Sequence, residues 1–130
     1  PGILCAMPDK FMRRVAKEHN TELPPVRKYA VGNVFLDKDE EALREGKRIL
    51  ERVCEQTPGL KFLFWRRVPV CSECLGKTAL NAEPVVEQVF IAAEGALAED
   101  AKRFDAALFV LRKKAAKMAA NTPGMPFYVC

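Results

Sequence analysis

The run Phe64-Trp65-Arg66-Arg67-Val68-Pro69-Val70 constrains this chain more than any other. It is an apolar strand that carries the only tryptophan and stops at a proline, which cannot donate to a central ladder. Downstream, Glu83-Pro84 feeds the alternating stretch Val85-Val86-Glu87-Gln88-Val89-Phe90, the period-two pattern of a half-buried strand. Upstream, Tyr29-Ala30-Val31-Gly32-Asn33-Val34-Phe35-Leu36 is another strand. Strands of this kind, with helical segments between most of them, predict a mixed α and β fold.

The segments between them give the rest of the order. Residues 3–7 read as a short strand, and Pro8-Asp9 opens a helix through about Glu18, with Phe11, Met12, Val15 and Ala16 at helical spacing. Pro24-Pro25 forbids helix in the connector that follows. Residues 26–36 read as a strand in which Gly32 marks a bulge or a close backbone approach. Asp37-Lys38-Asp39-Glu40-Glu41 places acidic residues at the positive end of a second helix. Its buried stripe is Leu43, Leu50, Val53 and Cys54 around Gly46, and Thr57-Pro58-Gly59 ends it. Residues 60–68 are the tryptophan strand, 69–80 a loop turning at Gly76, and 85–92 the next strand. From Glu99 a long helix presents Phe104, Leu108, Leu111, Ala115 and Met118 on one face. Thr122-Pro123-Gly124-Met125-Pro126 breaks it, and a last strand starts at Phe127.

At 130 residues the chain is one domain, long enough to bury a core. Its 21 Lys and Arg against 17 Asp and Glu are too mild an excess to argue for nucleic acid, and the basic residues fall in separate pairs and triplets. No apolar run approaches the roughly 20 residues of a membrane helix. The chain opens without an initiator methionine, and Phe127-Tyr128-Val129-Cys130 stops before any turn signal. Both ends read as cuts through structure, so a fragment truncated at each end is expected.

Five cysteines, an odd number at irregular spacing, exclude a complete internal disulfide framework and point to reduced thiols in an intracellular compartment. Cys71-Ser72-Glu73-Cys74 has the spacing of zinc knuckles and redox pairs. Zinc needs two more ligands, and Cys5, Cys54, Cys130 and His19 form no second close pair. A redox pair needs a helix after it, where Leu75-Gly76-Lys77 predicts a turn. Coincidental cysteines are the reading. His19, the sole histidine, is read as a solvated helix terminus. Trp65 with Phe62 and Phe64 invites comparison with a base-stacking platform. Phe62 and Phe64 share a strand parity and Trp65 takes the other, so burial on two sides is the economical account. Glu83 before Pro84 is read as a carboxylate binding backbone amides or an arginine. Gly32 and Gly76 belong to no phosphate loop. No complete active site is visible, and no catalytic, cofactor-binding or metal-ligating residue is assigned.

Taken in order, Gly2-Ile3-Leu4 with Pro8-Asp9-Lys10-Phe11, Leu23-Pro24-Pro25, Tyr29-Ala30-Val31-Gly32 and the tryptophan strand form an ordered set. Leu75-Gly76-Lys77-Thr78-Ala79, Glu83-Pro84-Val85-Val86-Glu87-Gln88-Val89-Phe90, Phe109-Val110-Leu111-Arg112-Lys113 and Phe127-Tyr128-Val129-Cys130 complete it. The set resembles the class II glutamine amidotransferase domain at the front of the large glutamate synthase polypeptide. The Tyr-Ala-Val-Gly and Glu-Pro-Val-Val-Glu-Gln forms look closer to the NAD(P)H-using than to the ferredoxin-using branch. Cys71 and Cys74 depart from the family, whose members usually carry Asp, Asn or Ser in this loop.

The resemblance implies an α+β fold: part of the four-layer α/β/β/α sandwich of N-terminal-nucleophile hydrolases, with the strands shared between two stacked sheets. It implies an amidotransferase in which an N-terminal cysteine attacks the glutamine side-chain amide and its own α-amino group serves as base. It further implies that the ammonia meets 2-oxoglutarate in distant domains carrying FMN and an iron–sulfur cluster. None of those residues maps here. Cys5 and Cys130 sit inside strand segments and are not the nucleophile. The expectation is therefore inactive scaffold, whose partners are glutamine, reached through residues outside the chain, and the remaining domains of a parent polypeptide. No nucleic acid and no membrane are expected. Plastid and cytoplasm stay open as locations. The alternatives are a stand-alone αβ binding module without catalysis and a small zinc or thiol protein built on Cys71 and Cys74.

Overall fold

The computed structural model describes residues 6–123 and 125–130. Its strands are β1 (Tyr29–Leu36), β2 (Leu60–Arg67), β3 (Val85–Ala93) and β4 (Tyr128–Val129). Its helices are α1 (Asp9–Glu18), α2 (Glu40–Glu55), α3 (Lys77–Ala82), α4 (Ala96–Glu99) and α5 (Ala101–Ala120). The fold is α+β, with one sheet of order β2-β3-β1-β4 in which all neighbours are antiparallel. Among the described residues, the strands expected to be shared between two stacked sheets lie together in this one.

The order has a simple origin. The connection from β1 through α2 to β2 skips a position that β3 fills, and that from β3 through α5 to β4 skips a position that β1 fills. Two interleaved split βαβ units result, a βαββαβ connection order. Both crossover helices pack on one face, where Val34, Leu36, Ile49, Leu50, Val53, Leu60, Val89, Ile91, Phe104, Leu111 and Ala115 form the main core. The other face holds a smaller core of Met12, Val15, Ala16, Leu23, Tyr29, Phe64 and Phe90 under α1.

Several boundaries differ from the sequence reading, each for a local reason. The strand expected over residues 3–7 falls mainly on residues 3–5, outside the described residues; Ala6 and Met7 are not in a strand. Phe11 is exposed, its ring covered by the guanidinium groups of Arg14 at 5.8 Å and Arg66 at 5.3 Å. β1 starts at Tyr29 because a turn closes first: the Lys28 N–H donates to the Pro25 carbonyl at 3.0 Å, and Arg27 takes a φ of 71°. Gly32 is a close approach and no bulge, since the β1–β3 register runs unbroken past it. A Cβ there would lie 3.4 Å from Val89 and 3.5 Å from the Cys130 carbonyl oxygen.

Residues 77–80, expected as loop, belong to α3, and the Leu80 N–H closes its first turn on the Gly76 carbonyl at 3.0 Å. Glu83 ends it because a residue before proline is driven to extended backbone, here φ −63° and ψ 121°. The long helix starts two residues late, at Ala101, because the Asp100 side chain caps it by accepting from the Lys102 and Arg103 N–H groups. Among the described residues no helix is long and apolar enough to cross a membrane.

Candidate functional site

The connection from β2 to β3 returns past the end of β1, and between them opens a cleft of about 650 Å³. Phe35, Pro84 and Tyr128 contribute to its apolar lining, while Asp37, Lys38 and Glu83 bring charge to it. Lys38 leaves the end of β1 and donates from Nζ to the Leu80 carbonyl of α3 at 2.6 Å. The same Nζ lies 3.7 Å from Glu83 Oε2. The Ser72 hydroxyl donates to Glu83 Oε1 at 2.7 Å. Glu83 thus ties the exposed loop to the strand ends through a hydroxyl and a lysine, where backbone amides or an arginine were expected.

A second polar group lies under α2. Glu87 is 5 % exposed, because its place between Val85 and Val89 on β3 turns it toward the helices. Lys47 Nζ meets it at 2.9 Å and sits 5.0 Å above the Trp65 ring, whose indole N–H donates to Glu51. The sequence reading did not single out this cluster. The signal was a lone acid at the inward parity of an apolar strand.

Trp65 is no open stacking platform, because α2 covers its ring. A register shift between Phe62 and Phe64 also corrects the expected parity: Phe62 shares the face of Trp65, with ring centroids 6.1 Å apart, and Phe64 takes the other. Phe64 stacks between Phe90 at 4.2 Å and the exposed His19 at 4.6 Å. Burial on both sides of the strand stands, reached through a bulge.

A third group joins α1 to β1. Asp9 accepts from the Tyr29 hydroxyl at 2.7 Å and from Arg13 Nε at 2.9 Å, and Arg13 also donates to the carbonyls of Leu23 and Pro24, each at 2.8 Å. The hydrogen bonds from Tyr29 and Arg13 hold the Asp9 carboxyl below its ordinary value. Burial, then the bond to Asp9, pushes the Tyr29 phenol up to about 12.

The described thiols lie in three places: the main core, the loop after β2 and the end of the chain. Cys54 is buried in the main core, and burial pushes it up to about 11, so at neutral pH it is a protonated, inert thiol. Cys71, Cys74 and Cys130 are exposed. Cys5 lies outside the described residues. Among the described residues no three His, Cys, Asp or Glu side chains converge to hold a metal ion. Every buried side-chain nitrogen and oxygen among them has a partner. The Glu83, Glu87 and Asp9 groups hold elements together.

A family model described as Glutamine amidotransferases class-II matches residues 1–130, the whole chain. The chain belongs to the class II glutamine amidotransferases. It is 36% identical over 127 residues to the Glutamate synthase [NADPH] large chain of Bacillus subtilis, covering 98% of this chain and 8% of that protein. Against the Glutamate synthase [NADH] of Schizosaccharomyces pombe it is 32% identical over 133 residues, 99% of this chain and 6% of the relative. The Ferredoxin-dependent glutamate synthase 1, chloroplastic/mitochondrial, of Arabidopsis thaliana is 31% identical over 132 residues, again 99% of this chain and 8% of the relative. The chain therefore spans less than a tenth of the length of these relatives. Its mixed helices and antiparallel sheet agree with an α+β domain of this family.

Proposed function

We propose that this chain is scaffold within the glutamine-hydrolysing domain of a glutamate synthase polypeptide. The observation that carries the reading is the match of one amidotransferase family to every residue of the chain, with glutamate synthases among the relatives. In the chemistry that the family implies, a cysteine sulfur adds to the glutamine amide carbon and the C–N bond breaks. Ammonia leaves with a proton, and water hydrolyses the thioester to glutamate. The chain supplies none of those groups in this proposal; it contributes no catalytic, cofactor-binding or metal-ligating residue. FMN and the iron–sulfur cluster belong to other domains, and among the described residues no donor set fits a metal. What this chain does is hold the sheet: the Glu87–Lys47 pair sets α2 on it, and the Asp9–Tyr29–Arg13 group sets α1.

For the electron donor, NAD(P)H is proposed on the forms Tyr29-Ala30-Val31-Gly32 and Glu83-Pro84-Val85-Val86-Glu87-Gln88. Relatives named for NADH, NADPH and ferredoxin all match. The test is to express the whole polypeptide that contains this chain, and the 130 residues alone, and to measure ammonia release from glutamine. Release by the former and none by the latter is expected. Hydrolysis by the 130 residues alone would overturn the scaffold reading, and a whole polypeptide without glutaminase activity would overturn the assignment.

A further inference from the structure

The loop after β2 carries two thiols that the glutamine chemistry does not use. Cys71 and Cys74 are both exposed, as are Pro69, Val70, Glu73, Leu75, Gly76 and Lys77 around them, so this stretch can adjust with little loss of packing. The chain bends before it reaches the second cysteine. The Leu75 N–H donates to the Ser72 carbonyl at 3.1 Å, closing a turn with Glu73 and Cys74 at its centre. Cys71 precedes this turn, but the bend at Glu73 lies between the two cysteines and shortens a segment that, fully extended, would hold its Cα atoms about 10 Å apart, beyond the roughly 7 Å that a disulfide can bridge. Between the two thiols sits Ser72, less exposed than its neighbours, whose hydroxyl is bound to Glu83 at 2.7 Å. Glu83 in turn faces Lys38 at the cleft.

We propose that Cys71 and Cys74 form a reversible dithiol–disulfide pair, oxidised by low-molecular-weight disulfides such as glutathione disulfide, whose closed ring fixes Ser72 on Glu83 beside the cleft. The steps balance. One cysteine thiolate attacks glutathione disulfide, forming a mixed disulfide and releasing one glutathione thiolate. The second cysteine thiolate attacks the protein sulfur of that mixed disulfide, forming the Cys71–Cys74 bond and releasing the second glutathione. Two electrons pass to the glutathione pair, and the two thiol protons go to solvent or to the departing thiolates. The closed ring contains Ser72, so oxidation restricts the backbone that aims its hydroxyl. The reduced loop has only the turn to do so.

The test uses the chain with Cys5→Ser and Cys130→Ser, leaving Cys54 in the core. Protein is equilibrated at graded ratios of reduced to oxidised glutathione, quenched by alkylation and weighed by mass spectrometry, folded and in denaturant. A species lighter by two hydrogens, with Cys71 and Cys74 protected from alkylation, is expected. The folded chain should reach half-oxidation at a glutathione ratio at least about tenfold more reducing than the denatured chain, because the bend at Glu73 and the Ser72–Glu83 bond restrict the segment between the two thiols. Equal midpoints, mixed disulfides alone or bridging between molecules would overturn the proposal. Hydrogen exchange then reads the consequence: amides of residues 76–83 should slow at least about threefold on oxidation. Ser72→Ala should still form the bond but lose the slowing. A bond that forms with no change in exchange would overturn the link to Glu83.

Discussion

Asp9, Tyr29 and Arg13 show how much structure three side chains can specify. Asp9 sits in the first turn of α1, a position that favours an acid, yet its oxygens go to Tyr29 and Arg13 and leave the helix start without a side-chain cap. The pH dependence follows from the directions of the shifts. Cys54 and Tyr29 hold their protons more tightly when folded, up to about 11 and about 12, than at their ordinary 9.0 and 10.0. Their contribution to stability is complete below about pH 9 and is lost as pH rises through 9 to 12. Asp9, held low, contributes above its ordinary 3.8, and that contribution is lost as pH falls through its lowered folded value. Denaturation monitored by circular dichroism should therefore show stability falling at both ends, with Tyr29→Phe removing the upper part of the alkaline fall. At the same scale, Lys47→Ala leaves Glu87 buried without its partner. A loss of about 2 kcal/mol is expected, at the low end for a broken buried pair because Lys47 keeps some exposure. A double-mutant cycle with Glu87→Gln should recover part of it.

Elements are set by their ends as much as by their faces. α2 and α5 each begin at an aspartate that accepts from two backbone N–H groups, Asp39 from Glu41 and Ala42 and Asp100 from Lys102 and Arg103. Asp39→Ala and Asp100→Ala should each cost about 1 kcal/mol in urea unfolding. The turn from α2 into β2 passes through Gly59, whose φ of +85° suits glycine, and a Cβ there would stand 2.8 Å from Leu97 and 3.2 Å from the Glu94 carbonyl oxygen. Gly59→Ala combines backbone strain with a clash, so a loss of about 2 kcal/mol is expected by the same measurement. The bulge in β2 belongs to this scale too. Counting by twos from Phe62 places Phe64 beside it, but the extra residue Leu63 inverts every later side chain of the strand. Trp65 reaches the Phe62 face, and so the network under α2, only because of that insertion.

The whole molecule is held from β3 outward. β3 pairs along its length with β1 on one side and β2 on the other, whereas β4 contributes two residues against one neighbour. Hydrogen exchange should be slowest in β3 and, among the strands, fastest at β4. Tyr128, 74 % exposed on that short edge, marks where the fold is least covered. A finding of β4 amides as protected as those of Val89 and Phe90 would contradict this ordering.

What the sequence determined by itself was local: helical spacing in α1, α2 and α5, alternation in β3, and the breaks at Pro24-Pro25, Thr57-Pro58-Gly59 and Pro123. These are written in short windows, because helix period, strand period and the loss of a proline N–H act over a few residues. The family too was legible from the order of its motifs. Tertiary structure decided that all four strands share one sheet, that α3 forms beside Lys38, and that Glu87 finds Lys47 forty positions away. Strand order and ion pairing depend on which distant surfaces meet. A chain's local preferences carry no information about that until its helices have packed against the sheet.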